Sequence, residues 1–309
     1  MPELTFYESI QKFQKSLNVK MKIDELSVNT IDSYNRTYKY FILFCKQYDK
    51  KLSFQNIKED DIYAFIEYKS ANMNKQGNLS NSSVNSIVSH LKKLFKHIER
   101  NSDESYDFDK VFEDIKVKQS VRIPKGIDDK AFSKIVKYLE ELKLNETFIN
   151  FRNITLFKFL LYGGLRASEA ISITLSSVEL DISGGLYKIV FKGKGDKNRT
   201  TYIKEDLLYD ELDTLRNVFK IDTHKPIALT TSGKAMDRVQ LSKMVNSAYC
   251  RAGVKATGVH ILRHTAAKRL LADGVSIVVV QSILGHGSIQ TTSIYANPTE
   301  SIIKKELTK

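Results

Sequence analysis

Cysteine is scarce in this chain: Cys45 and Cys250 are its only two among 309 residues, and they lie far apart. Two thiols at that spacing make neither a zinc site nor a disulfide framework, so a reduced, intracellular setting is expected. Long hydrophobic runs are missing too. The most apolar late stretch, GVSIVVVQSILG, is too short to span a bilayer. The first residues, MPELTFYESIQKFQ, lack the apolar segment of a secretory signal. No membrane anchor is expected. Repeats and low-complexity tracts are also absent from the sequence.

What is present is positive charge, a net +12 on a chain that is 42% hydrophobic. Such a chain packs a core and favours a polyanionic partner. The bland alternative is a soluble basic protein. With a membrane surface disfavoured, nucleic acid becomes the expected partner. A chain of 309 residues is long for one core and comfortable for two.

Residues 1–118 read as a helical domain. In SVNTIDSYNRTYKYFILFCKQY, Ser27 or Asn29 can cap a helix whose apolar positions run Ile31, Tyr34, Tyr38, Phe41, Phe44. KEDDIYAFIEYKSANM carries acids in its first turn. In SNSSVNSIVSHLKKLFKHIERN the apolar face is Val84, Ile87, Leu91, Leu94, Phe95 and Ile98, with Lys92, Lys93 and Lys96 elsewhere. IKVKQSVRIPKGIDD is basic, holds Pro124 and lacks helical periodicity, so 119–128 reads as a linker. The larger domain, 129–309, begins with helices near 129–144 and 148–162. Strand formers in GGLYKIVFKGKGDKNRTTYI then predict a hairpin through Tyr187, Ile189, Val190 and Phe191, returning at RTTYI. A short extended piece near PIALTT is followed by helices. The predicted class is mainly α with a small antiparallel β-sheet in the second domain.

Four short motifs carry chemistry. In YGGLRASEA, Glu169 lies three residues after Arg166 and can orient its guanidinium; a surface salt bridge is the plain alternative. In KGKGDKNR, glycines flank Lys194 at the hairpin tip, though the P-loop spacing is absent. In HILRHTAAKRLL, His260 and Arg263 are three apart on one helix face. His260 and His264 also have metal-ligand spacing, but an acidic third ligand is missing nearby, so no metal is expected. In GHGSIQTTSIYANP, a Gly-His-Gly turn opens a short helix with Tyr295 nine residues after His286, and Pro298 ends it.

Each motif alone is weak. Together they supply two arginines, a lysine, two histidines and a tyrosine, an inventory suited to phosphoryl transfer at a phosphodiester without a metal. Guanidiniums can clamp the nonbridging oxygens as charge gathers there. Tyrosine can attack and form a covalent ester. A lysine of lowered pKa can protonate the leaving oxygen. No nucleotide motif or other cofactor signature accompanies them.

The order GLRASE, GKGDK, HILRH, LGHGSIQTTSIY resembles the tyrosine recombinases, or phage-integrase family, strongly over about 163–297. LSVNTIDSYNRTYKYFILFC is more loosely similar to the family's core-binding helical domain. The resemblance implies a two-domain DNA clamp: a helical core-binding domain and a catalytic domain with a C-terminal tail helix. It implies Tyr295 as nucleophile, Arg166 and Arg263 on the scissile phosphate, and Lys194 as acid to the 5′-oxygen. His260 would assist proton transfer or phosphate binding, His286 would hydrogen-bond the phosphate, and Glu169 would support from behind. One departure is Ala266-Ala267 after RHT, where the family usually has a bulkier residue and then a small hydroxyl residue.

The implied partner is double-stranded DNA carrying a specific recombination site, bound by a homotetramer that exchanges C-terminal helices, with room for a helper protein. The implied location is cytoplasmic, at the nucleoid. Lys92, Lys93, Arg122 and Lys125 are candidate phosphate contacts. An Xer-like resolver of chromosome or plasmid dimers is the favoured role. Alternatives are a mobile-element integrase, a type IB topoisomerase-like enzyme, and, outside enzymes, a catalytically silent DNA-binding protein.

Overall fold

A computed structural model describes residues 6–23, 26–48, 52–73, 79–102, 106–117, 126–193 and 198–285. The chain divides into two compact units, Met1–Val121 and Arg122–Lys309.

The regular elements of unit one among its described residues are all helices: α1 (Phe6–Lys22), α2 (Val28–Gln47), α3 (Glu59–Met73), α4 (Asn81–Asn101) and the short α5 (Asp109–Phe112). Ser27 and Ser80 cap α2 and α4 with their hydroxyls, accepting from the N–H groups of Thr30 and Ser83. The predicted apolar positions of α2 are all buried, and those of α4 are buried except half-buried Val84. The core is rich in rings. Phe95 alone meets Phe41, Phe54, Phe108 and Phe112, mostly edge to face.

Unit two holds α6 (Asp129–Lys143), α7 (Phe148–Leu161), α8 (Ala167–Ala170), three strands, then α9 (Tyr209–Asp213), α10 (Arg238–Arg251), α11 (His260–Ala272) and α12 (Ile277–Leu284). Helix α7 is apolar on nearly every side and runs through the core, as an all-round hydrophobic helix must. Its one buried lysine, Lys158, is neutralised by Glu211 at 2.9 Å.

The sheet is antiparallel in the order β1 (Val178–Asp181), β2 (Leu186–Lys192), β3 (Asn198–Lys204). The expected hairpin is the β2–β3 pair, closed at Lys192↔Asn198. Strand β1 was not anticipated. Its segment, VELD, buries only Val178 and leaves three residues exposed, so little alternation signals it. The piece near PIALTT forms isolated bridges, Thr174↔Pro226 and Leu229↔Ala235, and not a strand. No described helix is long and apolar enough to cross a membrane.

Candidate active site

The two glycines of YGGLRASEA end α7 and turn the chain back on itself. Gly164 has φ +61°, a left-handed conformation that favours glycine. A Cβ there would also lie 2.6 Å from Leu284 Cδ2. The next turn delivers Arg166. It is not on the face of a helix with Glu169, as the spacing suggested, but is the cap that precedes α8. Glu169 Oε2 accepts the Arg166 backbone N–H at 2.7 Å, and Oε1 accepts Arg166 Nη1 at 2.8 Å. Glu169 thus supplies its half of a capping box, with an ion pair added to it, while the Arg166 guanidinium, which can only donate, supplies no return bond.

Glu169 is buried, and a buried carboxylate is stable only when paired and hydrogen-bonded. Three guanidiniums serve it. Arg199 Nη1 donates to Oε1. Arg263 Nη1 lies 3.9 Å from Oε2. The side chains grade outward, from Arg263 at 7% exposed through Arg199 at 15% to Arg166 at 36%. Arg166 is thus the member that meets solvent.

The same three arginines close the end of α12. Its last carbonyls have no helical acceptor role left, and the helix dipole is negative there. Arg199 Nη2 donates to Ile283 O at 3.0 Å, Arg263 Nη2 to Leu284 O, and Arg166 Nη2 to Gly285 O at 3.3 Å. Three consecutive carbonyls therefore receive three different arginines. Gly285 caps the helix at φ +60°, and a Cβ on it would run into the Arg199 guanidinium. Arg263 Nη1 also donates to Gly164 O at 2.6 Å, which ties α11 to the glycine turn.

His260 starts α11 on the exposed surface, one turn before Arg263. His264 is half-buried; burial lowers its pKa, with further lowering from His260, Arg263 and Lys268. Among the described residues no group of three or more histidines, cysteines or acids is placed to hold a metal. Ala266 and Ala267 are fully packed, and the Ala266 methyl lies 3.5 Å from where a Gly164 Cβ would be. Small residues there let α11 approach the glycine turn.

Arg166, Glu169 and Arg263 are brought together; His260 is on the same helix as Arg263. Lys194, His286, Tyr295, Arg122 and Lys125 lie outside the described residues, as does the expected tail helix. Arg199 was missed. On β3 it shares the inward parity of Thr201 and Ile203, and a charged residue at inward parity was the available signal.

In unit one, Lys92 and Lys93 are exposed on α4 and line one groove with Lys96, Asn85 and Ser89. Lys93 Nζ donates to Tyr34 OH at 2.5 Å, and Lys92 sits over the Phe112 ring at 5.7 Å. Beneath them Lys69 is buried, donating to Thr37 Oγ1 at 3.2 Å, and Thr37 Oγ1 meets His90 Nδ1 at 2.8 Å. Burial lowers the Lys69 pKa to about 8, helped by Arg36. Burial likewise lowers His90 to about 4, helped by Lys69 and Lys93.

Comparison with known proteins gives the same two-part division. A model described as the phage integrase family matches residues 126–301, and one described as the phage integrase N-terminal SAM-like domain matches 10–101. Tyrosine recombinase XerD of Rickettsia conorii is 30% identical over 295 residues, covering 91% of this chain and 92% of that protein. Tyrosine recombinase XerH of Helicobacter pylori is 28% identical over 264 residues, covering 80% and 70%. A crystal structure of XerH bound to palindromic difH substrate, a post-cleavage complex, has a TM-score of 0.74 at 24% identity, covering 94% of this chain and 82% of that one. That last likeness is one of fold.

Proposed function

The chain belongs to the phage integrase family and is a tyrosine recombinase, and from that premise we propose that it recombines double-stranded DNA at a specific site through Tyr295. Supporting this reading most directly is the convergence of Arg166 and Arg263 on Glu169. A phosphodiester under attack gathers negative charge on its nonbridging oxygens, and a rigid pair of guanidiniums meets that charge without reorganising. The Glu169 carboxylate offsets the repulsion between the two guanidiniums and so lets them sit together.

Tyr295 Oη attacks the phosphorus as its proton passes to a basic neighbour, with His260 in the assisting role. The P–O5′ bond breaks, Lys194 protonates the departing 5′-oxygen, and a 3′-phosphotyrosyl ester forms. His286 hydrogen-bonds the phosphate. Reversal by a 5′-hydroxyl from the partner duplex rejoins the strands. The ester keeps the energy of the broken bond, so the cycle runs without ATP.

Two duplexes require four strand cleavages, and each copy supplies one nucleophile, so the working form is a tetramer on two sites. The segment after Pro298, TESIIKKELTK, has the pattern of an amphipathic helix for exchange between neighbours. Lys92, Lys93, Arg122 and Lys125 contact backbone phosphates, and a helper protein is accommodated. The role is Xer-like resolution of chromosome or plasmid dimers at the cytoplasmic nucleoid, in keeping with relatives named XerD and XerH.

The test is to trap covalent complexes in cells under denaturing conditions and sequence the attached DNA, alongside Tyr295→Phe. One chromosomal or plasmid locus supports resolution. Element ends would move the role to integration, and scattered sites to a topoisomerase-like activity. No adduct from the wild type, even on a nicked substrate that cannot religate, would leave only a DNA-binding protein, and equal recovery from Tyr295→Phe would point to a different nucleophile.

A further inference from the structure

We infer that Arg199 is a positioning residue for strand cleavage, fixing the hairpin that carries Lys194 against the arginine site. The inference rests on the recombinase reading above and adds a residue to it. Arg199 is the second residue of β3 and pairs with Phe191 on β2, one rung from the last pair before the turn. Its guanidinium lies over the Phe191 ring at 5.2 Å, and that ring is buried in the core. Lys194 stands two residues beyond Lys192, the end of β2. Arg199 therefore holds the hairpin one rung from its last described pair, and Lys194 follows shortly in sequence.

The other end of the guanidinium reaches across to two elements. One nitrogen donates to Glu169 and the other to Ile283 O at 3.0 Å. Glu169 Oε1 is shared between Arg199 and Arg166, so the hairpin and the expected phosphate ligand hang on one oxygen. Ile283 is three residues before His286. A single side chain thus ties three pieces of chain that carry Lys194, Arg166 and, in sequence, His286.

Charge balance alone does not require this arginine. Glu169 already has Arg166 bonded to it and Arg263 at 3.9 Å. A third positive charge on one carboxylate is costly, and burial does pull the Arg199 guanidinium below its usual pKa. Its forked geometry explains it better. Only arginine can bond a carboxylate and a carbonyl with separate nitrogens while its cation sits over a ring; lysine offers one point charge. Gly285 completes the fit, because any side chain there would occupy the same space.

The consequence is chemical and separable. If the hairpin is misplaced, proton delivery to the leaving oxygen fails while phosphate binding persists. A DNA substrate with sulfur in place of the bridging 5′-oxygen needs no such proton. On it Tyr295 Oη–P bond formation breaks the P–S bond, and a thiolate leaves with the electron pair. Single-turnover cleavage would be measured at saturating full-length protein on both substrates for wild type, Arg199→Ala, Arg199→Lys, Lys194→Ala and Arg166→Ala. DNA affinity and thermal melting would be measured beside them. On oxygen DNA, Arg199→Ala should lose about 10²-fold, the scale of a misplaced group. It should regain at least tenfold on sulfur DNA, like Lys194→Ala and unlike Arg166→Ala, with DNA affinity little changed. Arg199→Lys should follow Arg199→Ala, and it serves as the readout if the alanine variant does not fold. A wild-type rate in the folded variant, a loss matched by lost DNA affinity, or no recovery on sulfur DNA would each overturn the inference. Wild-type protein that forms no adduct on either substrate would instead sink the recombinase reading.

Discussion

The two units handle positive charge in opposite ways. In unit one the cations are spread along α2, α3 and α4, and among the described residues none of Lys69, Lys92 or Lys93 has a carboxylate partner. In unit two they are gathered: three arginines meet one buried glutamate and one helix end. Spread charge suits a polymer, which presents a phosphate at every step and rewards each contact modestly. Gathered charge suits one atom, the phosphorus at which a bond must break, where donors have to be fixed beforehand. The contrast also shows in packing. Unit one is held by interlocking rings, whereas the unit-two site is held by polar bonds from side chains to backbone carbonyls.

The sharpest way to break the contrast is to remove the gathering point. Glu169→Gln strips the carboxylate from three guanidiniums and should lower stability by about 3–5 kcal/mol, the cost of breaking a buried ion pair. A denaturant melt of the full chain measures it, and a change under 1 kcal/mol would argue that the cluster is held by the carbonyls alone.

Next comes the solvent-facing arginine. Arg166→Ala should slow single-turnover cleavage by about 10²–10³-fold, as loss of a fixed charge-stabilising donor does. DNA affinity should fall far less. Lys92→Ala with Lys93→Ala should do the reverse: near-normal cleavage at saturating DNA, weaker binding, and a log–log salt slope reduced by about one for each lysine. An unchanged slope would remove α4 from the DNA contact.

A further effect is on pH. In the folded chain His90 takes up its proton only at about 4, against 6.5 when exposed. As pH falls through that interval the unfolded chain binds the proton first, so stability should drop from about pH 6.5 toward 4 and be recovered above it. Urea midpoints for wild type and His90→Gln should converge with falling pH. Parallel curves would mean that His90 is not the group responsible.

Much of this is legible in the amino-acid sequence. Apolar spacing placed α2 and α4 because long amphipathic helices repeat their signal many times, as Ile31 to Phe44 does. Arg166, Glu169, His260 and Arg263 stood out because their motifs pair unusual chemistry with glycine turns or a helix start. Strand β1 was hidden, since one buried valine in four residues carries almost no pattern. Arg199 was hidden for a different reason. Its importance comes from partners 30 and 84 residues away in sequence, and only the closed fold brings those together.

The central claim is that Tyr295 is delivered to a phosphate held by this arginine site. The most direct measurement uses a nicked duplex from which the cleaved strand diffuses away, so religation stops. The adduct is digested, and its nucleotide-bearing peptide is identified by mass spectrometry. The account predicts a phosphotyrosyl nucleotide on Tyr295 in wild type and no adduct in Tyr295→Phe. An adduct on any other residue, or one that persists in Tyr295→Phe, would contradict it.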